Sequence, residues 1–370
     1  MRRLAIVLMG FVLLVCGPAL ASAQVKIGVF GPLTGPVADT GVASRYGVEM
    51  AAEEINGAGG IKGVGKIEVV SVDSECVPAK AVDAINKLIF RDRATAVIGD
   101  VCSGATLAAM QVAAQSQTPM LNNTSTSRTI TAQGNQWIFR LQAADTKSAK
   151  SLVEFAVKKL NLKRIAILHD NDAYGKDGAE EVEKSLKTLG LPLAGRFAFG
   201  RGDKDFSAQL LKVKEANADG VIFWAIYFDT ALAMKQARQL GISFQGLGSD
   251  AMGYPKFIEL AGPVSEGFVA SAIFCNTNPD PRVQGFVRKF REKYKKEADP
   301  TSSCAYDTMY VLANGIEKAG SLDKTKIRDA LRGISYGGVT GKVSFDSTGD
   351  SVREIFHVTI KDGKFVKLSD

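Results

Sequence analysis

Histidine is almost missing from this chain: there are two in 370 residues, His169 and His357. Five cysteines and two tryptophans are present, and no two cysteines stand as a CxxC pair. A structural zinc cluster needs a denser His/Cys set, so no metal is expected. No GxGxxG opens a helix and no GxSxG elbow occurs, so dinucleotide binding and the α/β-hydrolase nucleophile lose their usual sequence support. Gly60 to Lys66 has phosphate-loop spacing, but Ile67 stands where a magnesium-holding hydroxyl belongs and a strand follows, so it reads as a chance match. Acid is missing from residues 1–23, and long apolar runs are missing after Val15. An excess of one charge is missing too: the net charge is +7, or +5 without Arg2 and Arg3, spread along the chain. That does not point to nucleic acid.

What is present begins with a charged start, Met1-Arg2-Arg3, an apolar run from Leu4 to Val15, and the small-x-small site Ala21-Ser22-Ala23. This pattern predicts a secretory signal over residues 1–23, cut before Gln24. The run is short for a membrane span, which takes ~20 apolar residues. Lipid attachment at Cys16 is disfavoured by Val15, where a small residue belongs. The expected location is outside the cytoplasm. Four cysteines then remain in an oxidising compartment. Cys76 with Cys102 would close a loop of about 27 residues, worth roughly 3–4 kcal/mol on the chain-entropy model. Cys275 with Cys304 is open as a second pair.

Hydrophobic residues make up 46% and charged residues 23%, an ordinary globular composition with length for two domains. Short apolar strands alternate with helical periodicity every 20–30 or so residues, which predicts βαβ units and a mainly parallel sheet. Strands are expected at Lys26–Phe30, Ile67–Val72, Ala94–Ile98 and Pro119–Leu121. A second series follows from Ser148, with strands at Arg164–Leu168, Leu193–Phe199, Val221–Ala225 and Gln245–Gly248. Asp205 and Asp229 are expected to cap the helices that follow them. Later come a strand at Phe268–Ile273, helices at Asp307–Lys318 and Lys326–Leu331, and a hairpin at Asp362-Gly363.

The stretch Val97 to Thr106 reads as strand, tight turn and helix start, with Ser103 as an N-cap or a ligand donor. The first N–H groups of such a helix lack internal partners and lie at the positive dipole end, a seat for an anion. Other polar loops follow strand ends: Asn122 to Ser127, Asp172 to Gly175, and Gly248-Ser249-Asp250. Ligands of open parallel sheets sit outside the carboxyl ends of strands. His169 beside Asp170 reads as a structural neighbour of a cleft, and Arg201-Gly202-Asp203 as a plain loop tripeptide.

Several motifs together resemble the leucine/isoleucine/valine-binding proteins, periplasmic solute-binding subunits of ATP-driven (ABC) uptake systems. They are Gly31 to Pro36, Ile55-Asn56 with Gly59-Gly60-Ile61, Cys76 with Cys102, Ile98-Gly99 before Cys102-Ser103, His169-Asp170 with Tyr174-Gly175, and Lys204 to Ser207. The resemblance covers nearly the whole mature chain. It implies an α/β fold of two Rossmann-like lobes with parallel-sheet cores and a three-crossing hinge, type I periplasmic binding protein. The lobes would be 24–142 with 274–345, and 143–273 with 346–370. It implies that Ser103 grips the ligand carboxylate, aided by the loop of Thr124, Ser125 and Thr126. Tyr174 would come from the other lobe, and Asp250 would pair with the ammonium in place of the family's usual Glu. The family tyrosine after Gly220 falls near Ile226, with Tyr227 one residue off. Thr40 stands where an aromatic often lines the side-chain pocket, and Trp224 is expected to compensate.

The implied function is capture of a branched-chain or other apolar amino acid for an ABC permease, without catalysis or cofactor. A zwitterion leaving water needs donors at one end and a fixed carboxylate at the other. The alternatives are a sensory protein, a paralogue for aromatic acids or amides, and a secreted hydrolase using His169.

Overall fold

The computed structural model describes residues 23–368, so the expected signal segment lies outside the described residues apart from its last position, Ala23. The first sheet holds five parallel strands: β1 (Ala23–Gly31), β2 (Gly65–Asp73), β3 (Ala96–Ile98), β4 (Met120–Asn122) and β5 (Ile138–Arg140). Their order is β2-β1-β3-β4-β5. The chain then builds a second sheet from β6 (Ile165–Asp170), β7 (Gly195–Phe199), β8 (Gly220–Trp224), β9 (Gln245–Gly248) and β10 (Val269–Ala272). A small antiparallel sheet follows, of β11 (Ser335–Gly338), β12 (Gly341–Phe345) and β13 (Ser351–Val352). Finally β14 (Phe356–Lys361) and β15 (Lys364–Lys367) join the edge of the second sheet as an antiparallel hairpin. That sheet runs β15-β14-β10-β9-β8-β6-β7. The fold is mixed α/β with parallel-sheet cores.

Strands covered on both faces read as continuous apolar runs, and alternation sorts their side chains. Ala96 and Ile98 enter one core, with Val48, Ile55, Met309 and Leu312 of the helices Ala38–Gly57 and Pro300–Ala319. Val97 enters another, with Ile85, Leu88 and Met110. In the second sheet Val221 and Phe223 face one core while Ile222 and Trp224 face the other.

The chain passes between the two sheets three times: after β5, after β10 and after β13. On the second passage the helices Pro281–Tyr294 and Pro300–Ala319 return to the first sheet's core through Phe286, Phe290 and Met309. This last helix starts seven residues earlier than periodicity suggested. Asp299 accepts from the Ser302 N–H at 2.7 Å, and the Ser302 hydroxyl closes a capping box that fixes the start at Pro300.

Cys76 and Cys102 are bonded, with Cα atoms 5.6 Å apart. Cys275 and Cys304 do not form a second bridge; both are buried free thiols. Cys275 lies in the second sheet's core and Cys304 in the first's, so separate packing keeps them apart. Asp229 is no N-cap either: its helix begins at Tyr227, and its carboxylate accepts from the Gly202 N–H at 3.2 Å. Asp205 sits one residue outside the cap position and accepts from the Ser207 N–H at 2.9 Å.

Candidate functional site

A cavity of about 570 Å³, part of it open to solvent, lies between the two sheets. Its walls come from segments that follow strand ends, as parallel-sheet topology demands. Val101 to Ser103 follow β3, and Thr124 to Thr126 follow β4. From the other side Tyr174 follows β6, Arg201 follows β7, Ile226 and Tyr227 follow β8, and Asp250 follows β9. All seven residues singled out from the sequence, Ser103, Thr124, Ser125, Thr126, Tyr174, Tyr227 and Asp250, line this one cavity.

Ser103 is the first residue of the helix Ser103–Gln115, and Cys102 holds the N-cap position. Ser103 is therefore not the cap; its hydroxyl accepts from the Ser127 N–H at 3.3 Å. The cap carries no side-chain bond to the helix. An unmasked helix N-terminus beside a hydroxyl can receive a carboxylate. The facing loop is held by Asn122, whose amide donates to the Asp100 carbonyl at 2.7 Å and accepts from the Ser125 N–H at 2.8 Å. The Ser125 hydroxyl meets the Asp100 and Val101 carbonyls at 3.0 Å each, so it ties the two loops together. The Thr126 hydroxyl is buried and faces the Asp145 carboxylate.

On the opposite wall Asp250 opens a short 3-10 turn, Asp250–Met252. Gln142 Nε2 donates to Asp250 Oδ2 at 2.8 Å. Removal from water pushes the Asp250 carboxyl up to about 7. Behind it Asp145, fully buried, receives the Trp224 Nε1–H at 3.2 Å and faces the Thr126 hydroxyl. Burial, with the Asp250 charge nearby, pushes Asp145 up to about 8. Two acids crowded at one end favour an arriving cation.

Tyr174 shares a hydrogen bond with Ser249, and burial raises its phenol well above the ordinary tyrosine range. Trp224 does not line the cavity as the sequence suggested. It is fully buried, and at Gly178 an added Cβ would fall 1.9 Å from its Nε1, so only glycine lets the helix Ala173–Thr188 settle on the indole. Thr40, Val37, Val101, Ile226 and Tyr227 supply the apolar and weakly polar wall. Tyr254 stands 5.2 Å from Tyr227 and bonds to Thr301 across the cleft. His169 is buried away from the cavity, with Nδ1 donating to the Asp170 carbonyl at 2.8 Å and Nε2 facing Arg196 at 3.2 Å. Among the described residues no His/Cys/Asp/Glu group of three could hold a metal.

Four participants escaped the sequence reading: Arg201, Tyr254, Gln142 and Asp145. Arg201 pairs with Asp170 at 2.9 Å and with Asp172. A polar residue one or two positions past a strand end was the signal available for Arg201.

The family described as periplasmic binding protein matches residues 24–364. A Pseudomonas aeruginosa protein named leucine-, isoleucine-, valine-, threonine-, and alanine-binding protein is 34% identical over 332 residues, covering 90% of this chain and 88% of the relative. The structure of a leucine binding protein from Thermotoga maritima superposes with a TM-score of 0.86 at 29% identity, covering 93% of this chain and 98% of that one. A branched-chain amino acid transporter substrate binding protein from Streptococcus pneumoniae, in complex with isoleucine, superposes with a TM-score of 0.85 at 28% identity, covering 94% and 100%.

Proposed function

This chain belongs to the periplasmic binding protein family, and on that footing we propose that it captures a branched-chain or other apolar amino acid and passes it to an ABC permease. The observation that carries the reading is the convergence of Ser103 and Asp250 on one cavity from opposite sheets. The Ser103 helix end, with the Thr124–Thr126 loop, would take the carboxylate. Asp250 would take the ammonium, with Gln142 orienting it. Tyr174, Tyr227, Ile226 and Val101 would enclose the side chain. The names of the relatives, with leucine, isoleucine and valine among their ligands, support this class. Catalysis is no part of the proposal.

Two lobes, one built on each large sheet, would close on the ligand about the three chain passages. The signal segment 1–23 would be cleaved, releasing the protein into the periplasm. Calorimetric titration of residues 24–370 with the twenty amino acids tests the ligand class. Leucine, isoleucine or valine should bind one to one. Failure of all twenty at millimolar concentration would overturn the proposal.

A further inference from the structure

One polar wall of the cavity is unused by the headgroup. Arg201 sits there, two residues past β7. Its Nε donates to Asp170 Oδ2 at 3.2 Å, and Nη2 donates to the same oxygen at 2.9 Å and to Asp172. Asp170 is fully buried, so the guanidinium is fixed from behind. Nη1 is different. Its partners are two sulfurs, Cys76 Sγ at 3.8 Å and Cys102 Sγ at 3.9 Å. Sulfur is a weak acceptor, and a guanidinium carries five donors in a rigid plane. Two N–H bonds of a fixed, half-buried cation therefore lack a strong acceptor, and both Arg201 and Cys102 line the cavity.

The charge around this donor matters as much. Asp170 and Asp172 both face Arg201, and Asp229 stands behind through the Gly202 N–H. The cluster therefore has no surplus positive charge to offer a carboxylate. A neutral oxygen could accept from Nη1 without meeting that repulsion.

Building on the amino-acid reading above, we propose that Arg201 is a specificity-determining residue, whose Nη1 donates to an uncharged acceptor oxygen on the ligand side chain. The protein then takes hydroxyl- or amide-bearing amino acids beside their hydrocarbon isosteres and rejects acidic ones. Two pairs of nearly equal shape read this out: valine against threonine, and leucine against asparagine. In calorimetric titrations of the parent protein, threonine or asparagine should bind within about tenfold of its isostere, and aspartate and glutamate should not bind at millimolar concentration.

In Arg201→Met the oxygen-bearing member of at least one pair should weaken by about tenfold or more relative to its isostere, as for a lost bond to a charged donor. Arg201→Gln, which keeps N–H donors, should hold the parent ratio more closely. Each ratio is taken within one protein, so a general loss of affinity cancels. Equal ratios in the parent and Arg201→Met would overturn the inference while leaving the amino-acid reading in place. If no amino acid binds the parent, the amino-acid reading itself fails.

Discussion

Gln142 Nε2 donates to Asp250 Oδ2 at 2.8 Å, joining the first passage between the sheets to the acid at the end of the cavity. The amide cannot turn over freely, because its Oε1 accepts from the Ala143 N–H at 2.8 Å. The third passage grips the same segment: Ser351 donates to the Gln142 carbonyl at 3.0 Å, and Arg353 Nη1 to the Leu141 carbonyl at 2.6 Å. The first and third chain passages and Asp250, the proposed ammonium anchor, are therefore one hydrogen-bonded unit. A bond to a charged acceptor is worth about 1.5–3 kcal/mol. Gln142→Leu should weaken leucine binding by about 10- to 100-fold, measured by calorimetry, and should raise the pH at which binding is lost.

Buried acids, Asp250 of the cavity among them, set the response to pH. Burial pushes Asp250 up to about 7, Asp229 to about 7, and Asp100, Asp170 and Asp299 to about 6. Asp145 lies higher still, at about 8. An unfolded aspartate titrates near ~3.9, so the folded chain holds these protons more tightly. Their contribution to stability is complete below the unfolded value and is lost as pH rises through 6 to 8. His169, lowered by burial, opposes them, since its contribution is lost as pH falls through its range. The ligand-free protein should melt higher at pH 6 than at pH 8. An ammonium needs Asp250 ionised, so the rise in melting temperature on adding leucine should be larger at pH 8. Scanning calorimetry with and without leucine reads both signs, and a larger ligand shift at pH 6 would contradict the assignment.

Charged pairs also join the two sides of the cleft. Arg128, from the first-sheet side, pairs with Glu181 at 2.8 Å and with Glu180 of the helix Ala173–Thr188, and Thr129 donates to Asp177 at 3.2 Å. Arg128 is 39% exposed and Glu180 45%, so water and salt weaken that pair to about 0.2–1 kcal/mol, while Glu181, 5% exposed, is more shielded. Arg128→Ala should raise the dissociation constant for leucine about three- to tenfold in low salt. The difference from the parent should shrink towards 1 M salt, where the screening length falls to ~3 Å.

Much of this site was legible because topology does the gathering. Ser103, Thr124, Tyr174 and Asp250 each follow a parallel strand, and the carboxyl ends of such strands converge whatever the loops do. What spacing does not carry is which way a side chain points. Arg201 read as a loop tripeptide, and its role emerges only from Asp170 behind it and the disulfide beside it. Asp145 looks like any acid in a first helical turn; its burial against Trp224 is a tertiary fact. Trp224 left its expected place for the same reason, packed under Gly178, while Tyr254, which the sequence reading did not single out, lines the cavity. Cys275 and Cys304 were equally silent, since sequence distance says nothing about which core each enters.

The most direct measurement compares leucine with 4-methylpentanoate, the same molecule without its ammonium, on the parent protein and on Asp250→Asn. Breaking a desolvated ion pair costs about 3–5 kcal/mol. The parent should prefer leucine by at least about 100-fold, and Asp250→Asn should lose most of that preference. Leucine bound as tightly by Asp250→Asn as by the parent would contradict it.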